Sequence, residues 1–287
     1  MLRTMKYKTW FFIASTLLII PGIIFMFMGG LKFGIDFTGG ALLEYKFQNP
    51  VNQSDLDDFG QVVESGENTF ILRTPAVTHD ELQVLKQNIQ SKFGSFEVRR
   101  EENVGPTIGK ELEQKAILAL VVSWIIIVLY ITFAFRKLPK PASSFRFAVS
   151  AIVALIHDVL LLVGAFAIFG YFWYVEIDTL FVTALLTVVG FSMHDTIVVF
   201  DRIRENLPKN IGKKFEHVVD ISIAQTLARS LNTSLTVAFV LTALLLFGGV
   251  TIKWFVVALL IGIISGTYSS IFNAAALLTW WEEKLGH

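Results

Sequence analysis

No cysteine occurs among the 287 residues, which excludes disulfides, thiol catalysis and cysteine-ligated zinc, although it does not fix the redox compartment. Any segment outside a membrane must then hold itself by packing. Net charge is missing too, because 24 Lys and Arg balance 24 Asp and Glu; with no clustered basic stripe, nucleic acid is excluded as an expected partner. Phosphate-binding loops are absent, since "GIDFTGG" (34–40) leads into neither GK[ST] nor GxGxxG. No recognisable nucleophile motif of a hydrolase or membrane protease is found.

What the chain has in abundance is apolar length. Hydrophobic residues make up 54% and the mean hydropathy is +0.61. Residues 10–31, 116–135, 147–169, 178–200, 231–248 and 254–281 are each long enough to cross a hydrocarbon core of about 30 Å at 1.5 Å per residue. Six crossings are expected. The first run follows Arg3, Lys6 and Lys8, but it exceeds a signal h-region and no A-x-A-like site follows. It reads as a retained helix in which Pro21 is tolerated as a kink.

Lys and Arg in short loops set the orientation. Arg3, Lys6 and Lys8, then Arg136, Lys137, Lys140 and Arg146, then Arg202, Arg204, Lys209, Lys213 and Lys214 must share the cytoplasmic side. The opposite loops, "GYFWYVEID" and "GGVTIK", carry only Lys253, with Tyr171, Trp173, Tyr174 and Trp254 suited to an interfacial belt. Both termini are therefore expected in the cytoplasm. The chain divides into residues 1–31 (N-terminus and first helix), 32–115 (one extracytoplasmic insertion) and 116–287 (helices two to six).

The insertion holds nine Lys and Arg against fourteen Asp and Glu, a net of 9 − 14 = −5. "ALLEYKFQ" (41–48) and "NTFILRT" (68–74) read as strands, "QSDLDDFGQVVE" as a short helix, and "SFEVRREENV" as a returning strand. Residues 78–93 open on Thr78 and Glu81, spaced as a capping box. The order β-α-β-α-β predicts a small α+β domain of ferredoxin-like character. Near 213–228, Phe215, Val218, Val219, Ile223 and Leu227 share a face behind Lys213 and Lys214, which suits an amphipathic helix on the membrane surface.

Few ionisable groups lie within the spans. His157 and Asp158 fall near the centre of the third, His194 and Asp195 about five residues from the centre of the fourth, and Arg229 at the cytoplasmic start of the fifth. Each costs about 2.5 to 3.5 kcal/mol at mid-bilayer even on the lenient scale, so such groups face the interior and mark proton or ion paths, or clamp helices by hydrogen bonds. Arg229 alternatively snorkels to the interface. Ser192, Asp195, Val199 and Arg202 form one helical seam and Arg229, Thr233 and Thr236 another; if the two meet, a carboxylate facing a mobile cation releases its proton when the cation is near and takes one when it withdraws. A metal site is disfavoured because each His stands beside its Asp at i, i+1. The glycines of "GIDFTGG" suit a rigid turn, and Gly262, Gly266 and Ser270, with Asn273 one turn on, form a small-residue ladder for close helix packing.

Together "FGIDFTGG", "GFSMHDTIVVFDRIREN" (190–206) and "RSLNTSLT" (229–236) resemble the SecF family of protein-export membrane subunits, relatives of the resistance-nodulation-division transporters. The resemblance covers the whole chain. It implies a multi-pass protein of the cell inner membrane in contact with lipid, complexed with SecD in a twelve-helix bundle beside the SecYEG channel and YajC, coupling inward proton flow to movement of extracytoplasmic domains on unfolded preprotein. It implies no cofactor and no covalent catalysis. Matched by motif, Asp195 is the proton-carrying carboxylate and Arg229 the functional arginine, with Gly34, Asp36, Gly39, Gly40, Gly190, Ser192, Thr196, Asp201, Arg202 and Asn232 as motif or structural positions. His157 and Asp158 fall where members carry a similar pair. The family commonly has Asn where this chain has His194, so that residue is either a passive partner or part of the proton path. Two rivals remain: an exporter half that moves lipid or a small amphiphile, and a non-conducting scaffold.

Overall fold

The structure, a computed structural model, describes residues 3–136 and 142–284; Lys137 and Lys140 of the predicted basic loop lie outside the described residues. Six helices are long and apolar enough to cross a membrane: Met5–Phe27, Pro106–Ala134, Ser144–Trp173, Thr179–Asn206, Phe215–Phe247 and Lys253–Lys284. The chain is thus a polytopic helical membrane protein. Within these spans the regular helices are α1 (Lys8–Phe27), α5 (Pro106–Ala134), α6 (Ser144–Trp173), α7 (Thr179–Asn206), α8 (Phe215–Phe247), α9 (Lys253–Tyr268) and α10 (Ala275–Lys284); a π-helical segment, Ser269–Ala274, joins the last two. The shorter helices are α2 (Ile35–Thr38), α3 (Gln53–Leu56) and α4 (His79–Phe93).

Two compact units emerge. One comprises Met1–Leu31, Ala119–Val175 and Leu180–His287; the other comprises Lys32–Leu118 and Glu176–Thr179. In the second unit, β1 (Lys32–Phe33) pairs in parallel with β6 (Glu176–Ile177), while β2 (Gly40–Phe47), β3 (Gln61–Gly66), β4 (Thr69–Thr74) and β5 (Phe96–Val104) form an antiparallel sheet in the order β3-β4-β2-β5. The element order is β-α-β-β-α-β rather than the expected β-α-β-α-β. Helix over 53–64 fails because Gly60, at φ +148°, ends the helical turn; the β-branched Val62 and Val63 then pair with Leu72 and Ile71 across a reversal at Asn68, φ +55°. Leu43, Tyr45, Phe47, Phe70, Leu72, Leu82 and Ile89 form its core.

Helix α4 begins as its sequence predicts. Thr78 Oγ1 accepts from the Glu81 amide at 3.4 Å and Glu81 Oε2 accepts from the Thr78 amide at 2.7 Å, closing the capping box. "GIDFTGG" is the expected tight turn: α2 is a single turn, Gly39 and Gly40 have φ of +72° and +135°, and a Cβ at Gly40 would lie 2.8 Å from the Thr74 carbonyl oxygen. Asp36 adds a function the spacing did not reveal. Its Oδ2 accepts from the amide and hydroxyl of Thr179, at 2.9 and 2.6 Å, and so supplies an acceptor to the first turn of α7.

The membrane unit packs backbone against backbone where glycine allows it. A Cβ on Gly22 of α1 would fall 2.6 Å from the Gly164 Cα of α6, and one on Gly164 would fall 2.9 Å from the Gly22 Cα. Phe135, Phe147 and Phe200 interlock elsewhere in this core, with ring centroids 5.1 to 6.0 Å apart. Its helix ends are tied by Arg146 to Glu282 at 2.7 Å, by Lys8 to Glu283, and by Asp220 Oδ1, which accepts from Thr4 Oγ1 at 2.7 Å and the Met5 amide at 3.0 Å.

The amphipathic surface helix expected near 213–228 is not a separate element. It forms the first turns of the 33-residue α8, and Phe215, Val219 and Ile223 are buried in the bundle core. Its apolar face covers protein rather than lipid headgroups.

Candidate functional site

The central layer of the membrane unit is polar although its helices are not. Helix α6 brings His157 and Asp158 to it, α7 brings Ser192, Asp195 and Thr196, α8 brings Ser230 and Ser234, and the sixth span brings Ser265, Thr267, Ser269, Ser270 and Asn273. Small residues make the approach possible: a Cβ on Gly266 would lie 2.9 Å from Ser192 Cβ, so the Gly262–Gly266–Ser270 ladder is the packing stripe that its spacing predicts. The π-helical turn shifts Ser269, Ser270 and Asn273 in azimuth relative to an unbroken α-helix, a device common at functional positions.

Asp158 is fully buried and surrounded by donors. Its Oδ2 accepts from Ser192 Oγ at 2.5 Å and from Ser269 Oγ at 2.6 Å; its Oδ1 accepts from Ser265 Oγ at 3.1 Å and lies 3.0 Å from His157 Nδ1. The opposite ring nitrogen, His157 Nε2, lies 3.2 Å from Asn273 Nδ2, which also donates to Ser15 Oγ at 2.7 Å. Between the two aspartates, Ser270 Oγ donates to the Ser192 carbonyl at 2.9 Å and lies 2.8 Å from Thr196 Oγ1.

Asp195 is held more loosely. It is 2% exposed; Thr267 Oγ1 donates to its Oδ2 at 3.3 Å, and Ser234 lies 2.5 Å from that same hydroxyl. His194 Nδ1 stands 3.9 Å from Asp195 Oδ1, but its side chain is 64% exposed. Adjacent residues on α7 thus point to opposite environments, one into the bundle and one out of it.

Of the two predicted seams, the first is real and the second faces the wrong way. Ser192, Asp195 and Val199 are buried with Arg202 at the edge, whereas Arg229, Asn232, Thr233 and Thr236 are exposed. The face of α8 that meets Asp195 carries Ser230 and Ser234 instead. Arg229 lies in a cavity of about 280 Å³ with Asp201, Arg202, Glu205 and Gln225. Asp201 is six residues from Asp195, about 9 Å along the helix. Of the residues around Arg229, Arg202 donates to Gln225 Oε1 at 2.6 Å and to Glu205 Oε2 at 2.7 Å, and Asp201 is paired with Arg204, outside the cavity lining, at 2.6 Å. Gly190 lies on the exposed face of α7 with open space around it. Among the described residues no group of three or more His, Cys, Asp or Glu could hold a metal.

Residues 84–284 match the family described as "Protein export membrane protein SecD/SecF, C-terminal", and residues 24–51 match the "SecD/SecF GG Motif". The chain belongs to the SecD/SecF family. A protein translocase subunit SecF from Thermobaculum terrenum is 47% identical over 99% of this chain and 95% of its own length, and one from Anaerolinea thermophila is 42% identical over 98% and 94%. A crystal structure of SecDF, described as a translocon-associated membrane protein from Thermus thermophilus, superposes with a TM-score of 0.85 at 32% identity; it covers 97% of this chain, which spans 38% of that longer protein. Family membership makes this chain a membrane-embedded accessory subunit of the Sec translocase and a transport protein rather than an enzyme.

Sequence reasoning missed Ser15, Ser234, Ser265, Thr267 and Ser269. Hydroxyl residues satisfy their own helix backbone in many spans, so their presence alone carried no signal; only the azimuth set by packing distinguishes a ligand of Asp158 from a bystander.

Proposed function

We propose that this subunit couples inward proton movement to late-stage preprotein export, with Asp195 as the group that takes and releases the proton. The observation that carries the proposal is the setting of Asp195: a carboxylate buried within an apolar span that accepts a neutral hydroxyl, Thr267 Oγ1, at a relaxed 3.3 Å, with Ser234 hydrogen-bonded to that hydroxyl. Such a group can exist with or without its proton at little rearrangement cost, unlike Asp158, whose two oxygens are both occupied by donors.

His194 and Arg229 complete the reading. His194 stands at the exposed side of α7 within 3.9 Å of Asp195, where an imidazole can relay a proton; Arg229 is the mobile cation, resting beside Asp201 and Glu205 rather than at Asp195. His157 and Asp158 belong to the same polar layer, and the motif positions Gly34, Gly39 and Gly40 keep the turn after the first span rigid.

The partner follows from unpaid exposure. His194 on α7, and Arg229 and Asn232 on α8, face outward from spans, and polar groups facing hydrocarbon are costly. A second helical subunit, SecD, covers them, which agrees with the SecDF relative. We assign the sheet unit to the extracytoplasmic side as a ferredoxin-like domain, supported by its β-α-β-β-α-β order, with both termini cytoplasmic in the cell inner membrane, next to SecYEG, YajC and the unfolded preprotein.

The test is gradient-driven export into inverted membrane vesicles. Asp195→Asn should abolish the response to the proton gradient while leaving assembly with SecD intact, Arg229→Ala should do the same, and His194→Asn should retain export with an altered pH profile. Normal gradient-dependent export by Asp195→Asn would refute proton coupling and leave a scaffold.

A further inference from the structure

The amide of Asn273 is buried, 6% exposed, and its Oδ1 has no hydrogen-bond partner while its Nδ2 serves both Ser15 Oγ and His157 Nε2. A buried acceptor left unpaired is costly, and the opposite orientation of a primary amide occupies the same space. Turned, the amide would present Oδ1 to His157 and to the Ser15 hydroxyl, which can equally donate, and would leave Nδ2 unpaired instead. Each orientation strands one amide atom. The balance between them is therefore set by what His157 Nε2 offers: a lone pair selects Nδ2, and an N–H selects Oδ1.

His157 also has a route for a proton. A cavity of about 240 Å³ beside the ring is lined mostly by apolar side chains, Phe12, Val153 and Leu277 among them; it is large enough for water, which would find its polar partners at Ser15, Thr16, His157 and Asn273. On its other side, His157 Nδ1 is 3.0 Å from Asp158 Oδ1, so a charged ring would be met by a carboxylate already fixed by three serines. The residues that line the cavity beside the ring are Phe12, Ser15, Thr16 and Ile19 from α1 and Asn273 and Leu277 from the sixth span, none of which titrates; the ionisable group in contact with the ring is Asp158.

We propose that His157 is a second proton-binding site of the bundle, taking a proton at Nε2 as the Asn273 amide turns to accept it. The proton comes from water in the cavity, Nδ1–H stays directed at Asp158 throughout, and the π-helical turn that carries Asn273 is the element that senses the change. The inference rests on the proton-coupling reading for its purpose, but not for its test.

The experiment is nitrogen-15 solid-state NMR of histidine-labelled protein assembled with its partner subunit in phosphatidylethanolamine–phosphatidylglycerol vesicles, between about pH 5 and 8. One histidine signal, absent from His157→Gln, should show a neutral ring protonated on Nδ1 at high pH and an imidazolium at low pH. At the pH of half conversion in wild type, Asn273→Leu should hold roughly tenfold less imidazolium because the acceptor is gone, and Asn273→Asp should hold more. A neutral ring protonated on Nε2, a ring that never charges in this range, or an Asn273→Asp response equal to wild type overturns the proposal. Asp195→Asn should leave the His157 signal in place, so normal export by that variant would sink the coupling reading while the His157 site still stood.

Discussion

Replacing Ser192 by alanine removes one hydroxyl from Asp158 and changes little else, because the site tolerates the loss of a single oxygen without a large cavity. The expected cost depends on what the hydroxyl donates to. Neutral hydrogen bonds between membrane helices average about 0.6 kcal/mol and reach about 1.7, whereas bonds to a charged group are worth about 1.5 to 3 kcal/mol. Ser192 and Ser269 approach Oδ2 at 2.5 and 2.6 Å, and Ser265 approaches Oδ1 at 3.1 Å. If Asp158 is an anion, Ser192→Ala and Ser269→Ala should each destabilise by about 1.5 to 2 kcal/mol, and Ser265→Ala by roughly half that. The double Ser192→Ala/Ser269→Ala variant should lose more than the sum, because it strips Oδ2 of both hydroxyl donors. Ser150 is the control: its Oγ is buried without a hydrogen-bond partner, so Ser150→Ala should be neutral or mildly stabilising. Equilibrium unfolding in mixed micelles, read by helical circular dichroism, gives the five differences from wild type. Should Ser192→Ala and Ser269→Ala both fall within about 0.5 kcal/mol of the Ser150→Ala control, the cradle does not hold an anion.

Two further outcomes follow from the packing and the charges. Gly266→Val places a branched side chain where even a Cβ lies 2.9 Å from Ser192 Cβ; it should cost about 1 to 3 kcal/mol, and combined with Ser192→Ala it should cost less than the sum, which the same unfolding measurement detects. In the sheet unit, burial pushes the Glu176 carboxyl above its ordinary value, only partly offset by Arg73, whose Nε lies 2.7 Å away. A raised folded value means that Glu176 contributes stability in full below its unfolded value and loses it as pH rises through the folded one. Wild type should therefore gain on Glu176→Gln in thermal stability as pH falls from 7 to about 4, and a difference that stays flat across that range would contradict the assignment.

The six spans were legible because length and apolarity suffice to identify them, and the Thr78–Glu81 capping box and the Gly262–Gly266 ladder were legible because each is a local spacing rule. The β3 strand was not, since a helical turn and a strand share the stretch from Gln53 to Gly66 and only Gly60 divides them. Azimuth was the larger failure. A helix in water shows its buried side by its apolar stripe, but in lipid both sides are apolar and the pattern goes silent. Placing Arg229 and Thr233 opposite Asp195 was consistent with helical spacing, yet Ser230 and Ser234, one position on, are the residues that face it. The π-helical turn compounds this, because no spacing rule applied through residues 269–274 assigns Ser269 and Asn273 to the faces they occupy.

The two aspartates of the layer differ in the way a coupled machine requires. A site that exchanges protons needs a carboxylate whose charged and neutral forms lie close in free energy, and a site that fixes helix positions needs one that never changes. Asp158 accepts three hydroxyls from α7 and the sixth span, so moving any of these helices breaks a bond to it. Asp195 accepts from the sixth span through one relaxed 3.3 Å contact with Thr267, whose hydroxyl lies 2.5 Å from Ser234 of α8, and hydroxyls can reverse from donor to acceptor when a proton arrives. Ser192 and Asp195 stand three residues apart on α7, so protonation at the second acts within one helical turn of the clamp at the first. On the proposed function, α7 is then the element that converts the charge of Asp195 into a displacement against Asp158, and the exposed polar faces of α7 and α8 are where a partner subunit would feel it.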